Sequence, residues 1–361
     1  MISKDLYLIK LSHCISVEGA MRGLICDIQR HSFFIVPRDL CSFIASGNGN
    51  RIEDIYKMYG SGNKLIVDEY LNFLNENQLA CFSKHKADIE RFPSLDLEDY
   101  KYDDIDNAII DIGQGSKFDL YATITSLVSI GCKYLQIRFF RQTDISELLS
   151  ILQCIEETEL ENLELILPYC ESLSGLNFEE IFIKNQRLSN IIFYNSPFSN
   201  SVNYYGVFNI NHVEENCNSS SHCGVVHPSY FLTNTPFYIE SKKYNTCLNR
   251  KVGIDINGEI KNCPSLGKSY GNVDDTNLKA AIEKPGFKDL WDINKDKITI
   301  CRDCEFRYVC TDCRAYLQHH DDIYSKPLKC GYDPYSCRWE DWSTNPLSKV
   351  SITHYNLQPV I

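Results

Sequence analysis

The chain has 361 residues, 43% of them hydrophobic and 23% charged, enough for two or three domains that each bury a core. Its net charge of −12 argues against a nucleic-acid backbone or an anionic membrane as partner. No run of about 18 apolar residues is present. The start, MISKDLYLIKLSHC, lacks the apolar core and cleavage site of a signal peptide, so a cytoplasmic protein is expected.

The first region, residues 1–92, opens with extended segments: LYLIKL, RGLICDI, and SFFIV running to Pro37. Three helical patterns follow, in DLCSFIA, IEDIYKMY and VDEYLNFLNENQL. The last lines up Val67, Tyr70, Leu71, Leu74 and Leu79. Gly47 and Gly49 separate the first two helices, and Gly60 and Gly62 the last two. Strands followed by three short helices suggest a small winged-helix-like domain. Residues 93–104 are acidic, carry Pro93 and read as a linker.

From 105 to 240 strand and helix alternate: AIIDI, then YATITSLVSIG; YLQIRFF, then ISELLSILQCIEET; LELILPY and NIIFY, with FEEIFIKN between them. This rhythm argues for a parallel sheet with crossover helices. The units are too few for an eight-stranded barrel, so a partial (β/α) barrel or an open sheet is expected. The overall class is α/β multidomain.

The region from 241 to 345 is short on long helices and rich in Cys, Gly, Asp and Pro. It cannot bury much apolar surface by itself, and metal binding would supply the missing folding energy. Residues 346–361 read as a tail. The chain has seventeen cysteines, and a cytoplasmic setting disfavours structural disulfides. Cys14, Cys26, Cys41, Cys81, Cys132, Cys154 and Cys170 are scattered in apolar stretches and read as small buried hydrophobes.

The remainder are regularly spaced. Cys247 and Cys263 bracket RKVGIDINGEIKN, in which Asn257-Gly258 is a strong two-residue hairpin signal. A hairpin brings those two cysteines side by side at its open end. Cys301-x2-Cys304-x5-Cys310-x2-Cys313 follows, then Cys330. A zinc ribbon usually separates its CxxC knuckles by about 12 or more residues. Seven cysteines also exceed the needs of one zinc. Two iron–sulfur clusters are the reading preferred, with zinc as the alternative.

This string resembles the SPASM domain that follows the catalytic barrel of many radical SAM peptide-modifying enzymes. It departs from that pattern in having two residues, not three, between Cys310 and Cys313. NTCLNRKVGIDINGEIKNCP, CEFRYVCTDCRAY and KPLKCGYDP are similar to a narrower group, the SPASM-domain peptide maturases of grasp-with-spasm ribosomal-peptide systems. The resemblance implies that Cys301, Cys304, Cys310 and Cys330 hold one 4Fe–4S cluster, and that Cys247, Cys263 and Cys313 hold another. The fourth ligand would come from upstream. Cys223 in HCGVVHP is preferred, with Cys217 or an open iron as alternatives and His222 and His227 nearby. Cys337 lies beyond the motif and reads as structural.

Radical SAM enzymes carry CxxxCxxC after the first barrel strand and a GGE-type loop after the second. Here GQGSKFDLYAT and RQTDISE occupy those places, so the resemblance implies a degenerate barrel without a functional SAM site. GQGSKF matches neither phosphate-loop pattern. His319-His320-Asp321-Asp322 reads as an exposed loop, and the carboxylates from Asp96 to Asp106 as a solvated run. The N-terminal region is similar to winged-helix elements that grip precursor-peptide leaders; a generic DNA-binding winged helix is disfavoured by the acidity of the chain. The function expected is a maturation partner that binds a ribosomal precursor peptide and acts with an ATP-grasp ligase. The alternative is a SAM-independent redox or Lewis-acid iron–sulfur enzyme, and no catalytic residue is assigned. A cluster-dependent scaffold without a peptide role is a third.

Overall fold

In the computed structural model, residues 2–98, 104–156 and 158–357 are described. The N-terminal part opens with β1 (Tyr7–Lys10), β2 (Cys14–Glu18), β3 (Arg22–Asp27) and β4 (Ser32–Pro37). Helices α1 (Arg38–Gly47), α2 (Ile52–Tyr59) and α3 (Lys64–Glu76) follow, then β5 (Ala80–Ser83). β2, β3 and β4 form an antiparallel meander, and β1 pairs with β5. Gly60 ends α2 with a φ of +76°, a left-handed turn that glycine takes without strain. Val67, Leu71 and Leu74 of α3 pack with Leu40, Phe43 and Ile55 into one core. α3 starts three residues before the pattern does, and Leu79 lies beyond its end, though still in that core. Two strands went unrecognised from sequence, β2 and β5. Both are short, and what defines them is their pairing with distant segments.

The central sheet uses β6 (Asn107–Ile112), β7 (Tyr134–Phe139), β8 (Asn162–Pro168), β9 (Leu188–Tyr194), β10 (Asn200–Tyr204) and β11 (Phe208–His212). Crossover helices α4 (Leu120–Ser129), α5 (Ile145–Glu156), α6 (Glu171–Ser174) and α7 (Phe178–Lys184) join its parallel strands. Asp119 caps α4 by accepting from the Tyr121 and Ala122 N–H groups. After α8 (Thr235–Lys243), the hairpin β12 (Lys251–Ile254) and β13 (Ile260–Lys261) joins the same sheet, with β12 parallel to β6. The order is β10-β11-β9-β8-β7-β6-β12-β13. The chain is therefore mixed α/β on an open, mostly parallel, eight-stranded sheet.

Three expected boundaries need correction. The sheet runs across position 241, because the hairpin takes its hydrogen bonds from β6. Leu95 and Leu97 of the expected linker pack into a core with Phe306 and Tyr332; residues 99–103 of that linker lie outside the described residues. The expected tail is docked rather than loose: Ser351 Oγ donates to the Gln318 carbonyl (2.7 Å), and Tyr355 packs on Tyr316. Residues 358–361 of it lie outside the described residues.

The N-terminal meander is not separate either. Val17, Leu24 and Cys26 are fully or almost fully buried against Phe306, Tyr308 and Val309 of the cysteine-rich region. Arg22 Nε donates to Glu305 (2.5 Å), Arg307 donates to the Glu18 carbonyl (2.7 Å), and Ala20 N–H to the Asp303 carbonyl (2.7 Å). Among the described residues no helix is long and apolar enough to cross a membrane.

Candidate metal centre

All seventeen cysteines are free of disulfides. Eight of them fall into two sets, seen in which sulfurs feel one another's charge. Cys313 interacts with Cys223, Cys247 and Cys263, and Cys263 with Cys223 and Cys247. The second set is Cys301, Cys304, Cys310 and Cys330: Cys310 interacts with Cys330 and Cys301, and Cys304 with Cys301 and Cys310. Cys217 belongs to neither; it lies beside Tyr194 and Glu215. Cys337 sits near Tyr332 and Arg22.

Local structure explains each position. β12 and β13 bring Cys247 and Cys263 to the hairpin's open end. The Asn245 side chain accepts from the Cys247 and Leu248 N–H groups, fixing the turn before β12. Cys223 is brought in by Gly224, whose φ of +86° turns the chain, and a Cβ there would sit 2.8 Å from Cys313 Sγ. Val226 then bridges to Cys330, so the segment after Cys223 lies along the second set. Lys329 Nζ, beside Cys330 in sequence, donates to the carbonyls of Ser221 and Cys223 (2.9 Å to the latter).

Each set has a buried lysine at its side. Lys251 Nζ lies 3.7 Å from Cys247 Sγ, and Lys295 Nζ lies 3.5 Å from Cys310 Sγ. Between the sets stands Asp312, 1% exposed. It accepts from Arg314 (2.7 Å) and Asn245 (2.7 Å), with Lys295 at 3.6 Å. Burial pushes the thiols up: Cys263 and Cys310 to about 12 and Cys301 to about 11, with Cys304 also well raised. Such thiols hold their protons until a metal displaces them. The donor chemistry fits a thiolate-bound metal: soft sulfur ligands, out of water, with cations placed to offset the charge.

The spacing distinguishes metals. Around one tetrahedral zinc with Zn–S near 2.3 Å, sulfurs lie about 3.8 Å apart. Among the described residues the sole trio of His, Cys, Asp or Glu ligand atoms within 4.8 Å of one another is His13, Cys14 and Asp27. Both cysteine sets are therefore more open than a single-ion site.

The first set lies toward the carboxyl ends of the parallel strands, where open α/β sheets gather ligands. Arg138 on β7 feels Cys223 and Cys263 and makes a bidentate pair with Asp111 on β6 (2.6 and 2.9 Å). The two are direct neighbours in register, and both are buried. Sequence reasoning missed them, although one carboxylate in AIIDI and one guanidinium in YLQIRFF stand out in apolar strands. The loop after β6 is tied down: Ser116 Oγ donates to the Ile256 carbonyl (2.6 Å) and accepts from Gly113 N–H (2.9 Å). The loop after β7 is closed by Arg141 on Glu147 (2.5 and 2.8 Å). His319 to Asp322 form an exposed loop, as expected.

No protein-family model matches this chain, and no curated protein does. Solved structures of SuiB from Streptococcus suis are similar in outline. SuiB bound to S-adenosylmethionine overlaps with a TM-score of 0.37 at 12% identity, covering 91% of this chain and 98% of that one. SuiB itself gives a TM-score of 0.32 at 11% identity, covering 91% of this chain and 98% of that one. SuiB bound to the precursor peptide SuiA gives 0.31 at 11%, covering 90% of this chain and 98% of that one. Overlaps this loose do not establish a shared family.

Proposed function

We propose that this chain is a maturation partner for a ribosomally made peptide, belonging with the SPASM-domain maturases that its cysteine motif resembles. Cys301, Cys304, Cys310 and Cys330 hold one 4Fe–4S cluster, and Cys223, Cys247, Cys263 and Cys313 hold the other. The observation that carries the reading is the gathering of eight thiols, at SPASM spacing, into two complete sets of four. Clusters of this kind supply electron storage or structural rigidity. Lys251 and Lys295 beside the sulfurs would tune either. Four protein ligands in the first set favour holding over chemistry at an open iron.

The peptide is held by the N-terminal domain, which has the elements of a winged helix. β4 is an edge strand, so its outer N–H and C=O groups are available for strand addition. Ile35 on β4 and Leu65 and Ile66 on α3 are exposed, and offer apolar contact to a leader. The chain presents that peptide to an ATP-grasp ligase. SAM is not cleaved: CxxxCxxC is absent, and tethering of the loop after β6 to Ile256 is in keeping with that.

Anaerobically purified protein should carry about eight irons with matching acid-labile sulfide. Stoichiometric zinc without sulfide refutes the cluster assignment. Titration calorimetry of the leader encoded beside this gene should give a micromolar constant, about 8 kcal/mol. The titration needs the full chain, because residues 1–92 alone would bare Val17, Leu24 and Cys26. No heat of binding refutes the peptide role.

A further inference from the structure

The open end of the β2–β3 hairpin carries a mixed donor set that no part of the reading above uses. Cys14 opens β2 and Asp27 closes β3; they are directly opposed in the antiparallel ladder, which puts their side chains on one face. His13 precedes Cys14, and its carbonyl accepts from Ile28 N–H (3.1 Å), which closes the hairpin end. An imidazole nitrogen of His13, the sulfur of Cys14 and a carboxylate oxygen of Asp27 all lie within 4.8 Å of one another.

Two further observations point to a ligand. Asp27 is 0% exposed, and its Oδ2 accepts no hydrogen bond. His13 Nε2 is buried and likewise makes none, standing 4.0 Å from Asp27 Oδ1. A buried carboxylate and imidazole normally close to hydrogen-bond distance or are otherwise paired. The competing reading is an ion cluster with Arg30, whose guanidinium lies 3.4 Å from Asp27 Oδ2. That contact leaves His13 Nε2 unanswered, and Arg30 also donates to the Asn77 and Gln78 carbonyls at the end of α3. Asp27 Oδ1 is bonded to the Gln29 and Arg30 N–H groups (3.2 and 2.9 Å), which hold the carboxylate in place as an outer shell does for a metal ligand.

We infer that His13, Cys14 and Asp27 form a binding site for one divalent transition-metal ion of the zinc class. With ligand lengths of about 2.0–2.3 Å, tetrahedral donors are separated by about 3.4–3.7 Å. The trio needs to contract by a few tenths of an ångström to about one ångström to reach that spacing. Nitrogen, sulfur and oxygen donors together suit zinc and disfavour magnesium or calcium. The His13 side chain is 22% exposed, so water can complete the fourth position. The ion pins the β2–β3 hairpin beneath the end of α3 through Asp27 and Arg30.

The test counts metal on the intact chain after dialysis against a weak chelator. Wild type should retain one zinc equivalent more than Asp27→Asn or His13→Gln, whatever metal the eight-cysteine region holds. Cys26→Ala, a buried cysteine on the same hairpin outside the trio, should match wild type. Added zinc should raise the unfolding temperature of wild type and of Cys26→Ala but not of the two ligand variants. Cobalt(II) as probe should give a thiolate charge-transfer band that Cys14→Ala loses. Equal zinc in wild type and His13→Gln overturns the assignment. If Asp27→Asn does not fold, His13→Gln decides alone, since that side chain is partly exposed.

Discussion

Replacing Asp312 by asparagine removes one negative charge from the joint between the two cysteine sets. Arg314 and Lys295, 3% and 4% exposed, then remain as buried cations without their carboxylate. Removing one partner of a buried pair costs roughly 3–5 kcal/mol, mostly from stranding the other charge. A cooperative unit of 150–250 residues loses about 2–4 °C per kcal/mol, so the unfolding temperature should fall by roughly 6–20 °C. The surface pair Lys184–Glu180, 2.9 Å apart and largely exposed, is the control. Glu180→Gln should cost about 0.5 kcal/mol or less. Urea unfolding followed by circular dichroism measures both. Adding Arg314→Gln to Asp312→Asn should recover part of the loss, because it removes a stranded cation. A cost below about 1 kcal/mol for Asp312→Asn would refute the claim that this carboxylate offsets the two cations.

Cys304→Ala should lose one cluster and destabilise the cysteine-rich region, whereas Cys132→Ala should leave metal content unchanged; iron and sulfide analysis of the two variants checks it. Gly224→Ala faces both a positive φ of +86° and a Cβ 2.8 Å from Cys313 Sγ, so metal in the Cys223 set should fall while the Cys301 set keeps its own. In metal-free protein the thiols of Cys263 and Cys310 are raised to about 12 from an ordinary 9.0. The native state therefore keeps protons that the unfolded chain releases. Their contribution to stability is complete below pH 9 and is lost as pH rises toward 12. Urea titrations at stepped pH should show that alkaline loss in metal-free protein and a flatter limb after metal loading.

The parallel strands were legible because AIIDI, YLQIRFF and LELILPY are short apolar runs bounded by turn signals, and α4 and α5 because their apolar residues recur at helical spacing. The pairing of β12 with β6 was not: nothing local in KVGI says which strand will take its hydrogen bonds. CxxC spacing marked the clustered thiols, since two sulfurs three residues apart must share a turn. Spacing could not decide between Cys217 and Cys223, six residues apart and equally polar in context. The left-handed turn at Gly224 and the bridge from Val226 to Cys330 place Cys223 with its set, and both are tertiary facts. The Asp111–Arg138 pair left a trace in the sequence, a single charge in each of two apolar strands, but its register is set by the sheet.

Glu305 follows Cys304 directly, and its carboxylate holds both Arg22 of the N-terminal sheet and the Tyr332 hydroxyl (2.5 Å each). A chain whose cysteine region has not yet set around its metal would leave Arg22 and the underside of that sheet without a partner. Assembly is then ordered in time: the inorganic component first, the docking sheet second, any peptide last. That sequence works as an inspection step in the cell, withholding an immature chain from its substrate without a dedicated regulator.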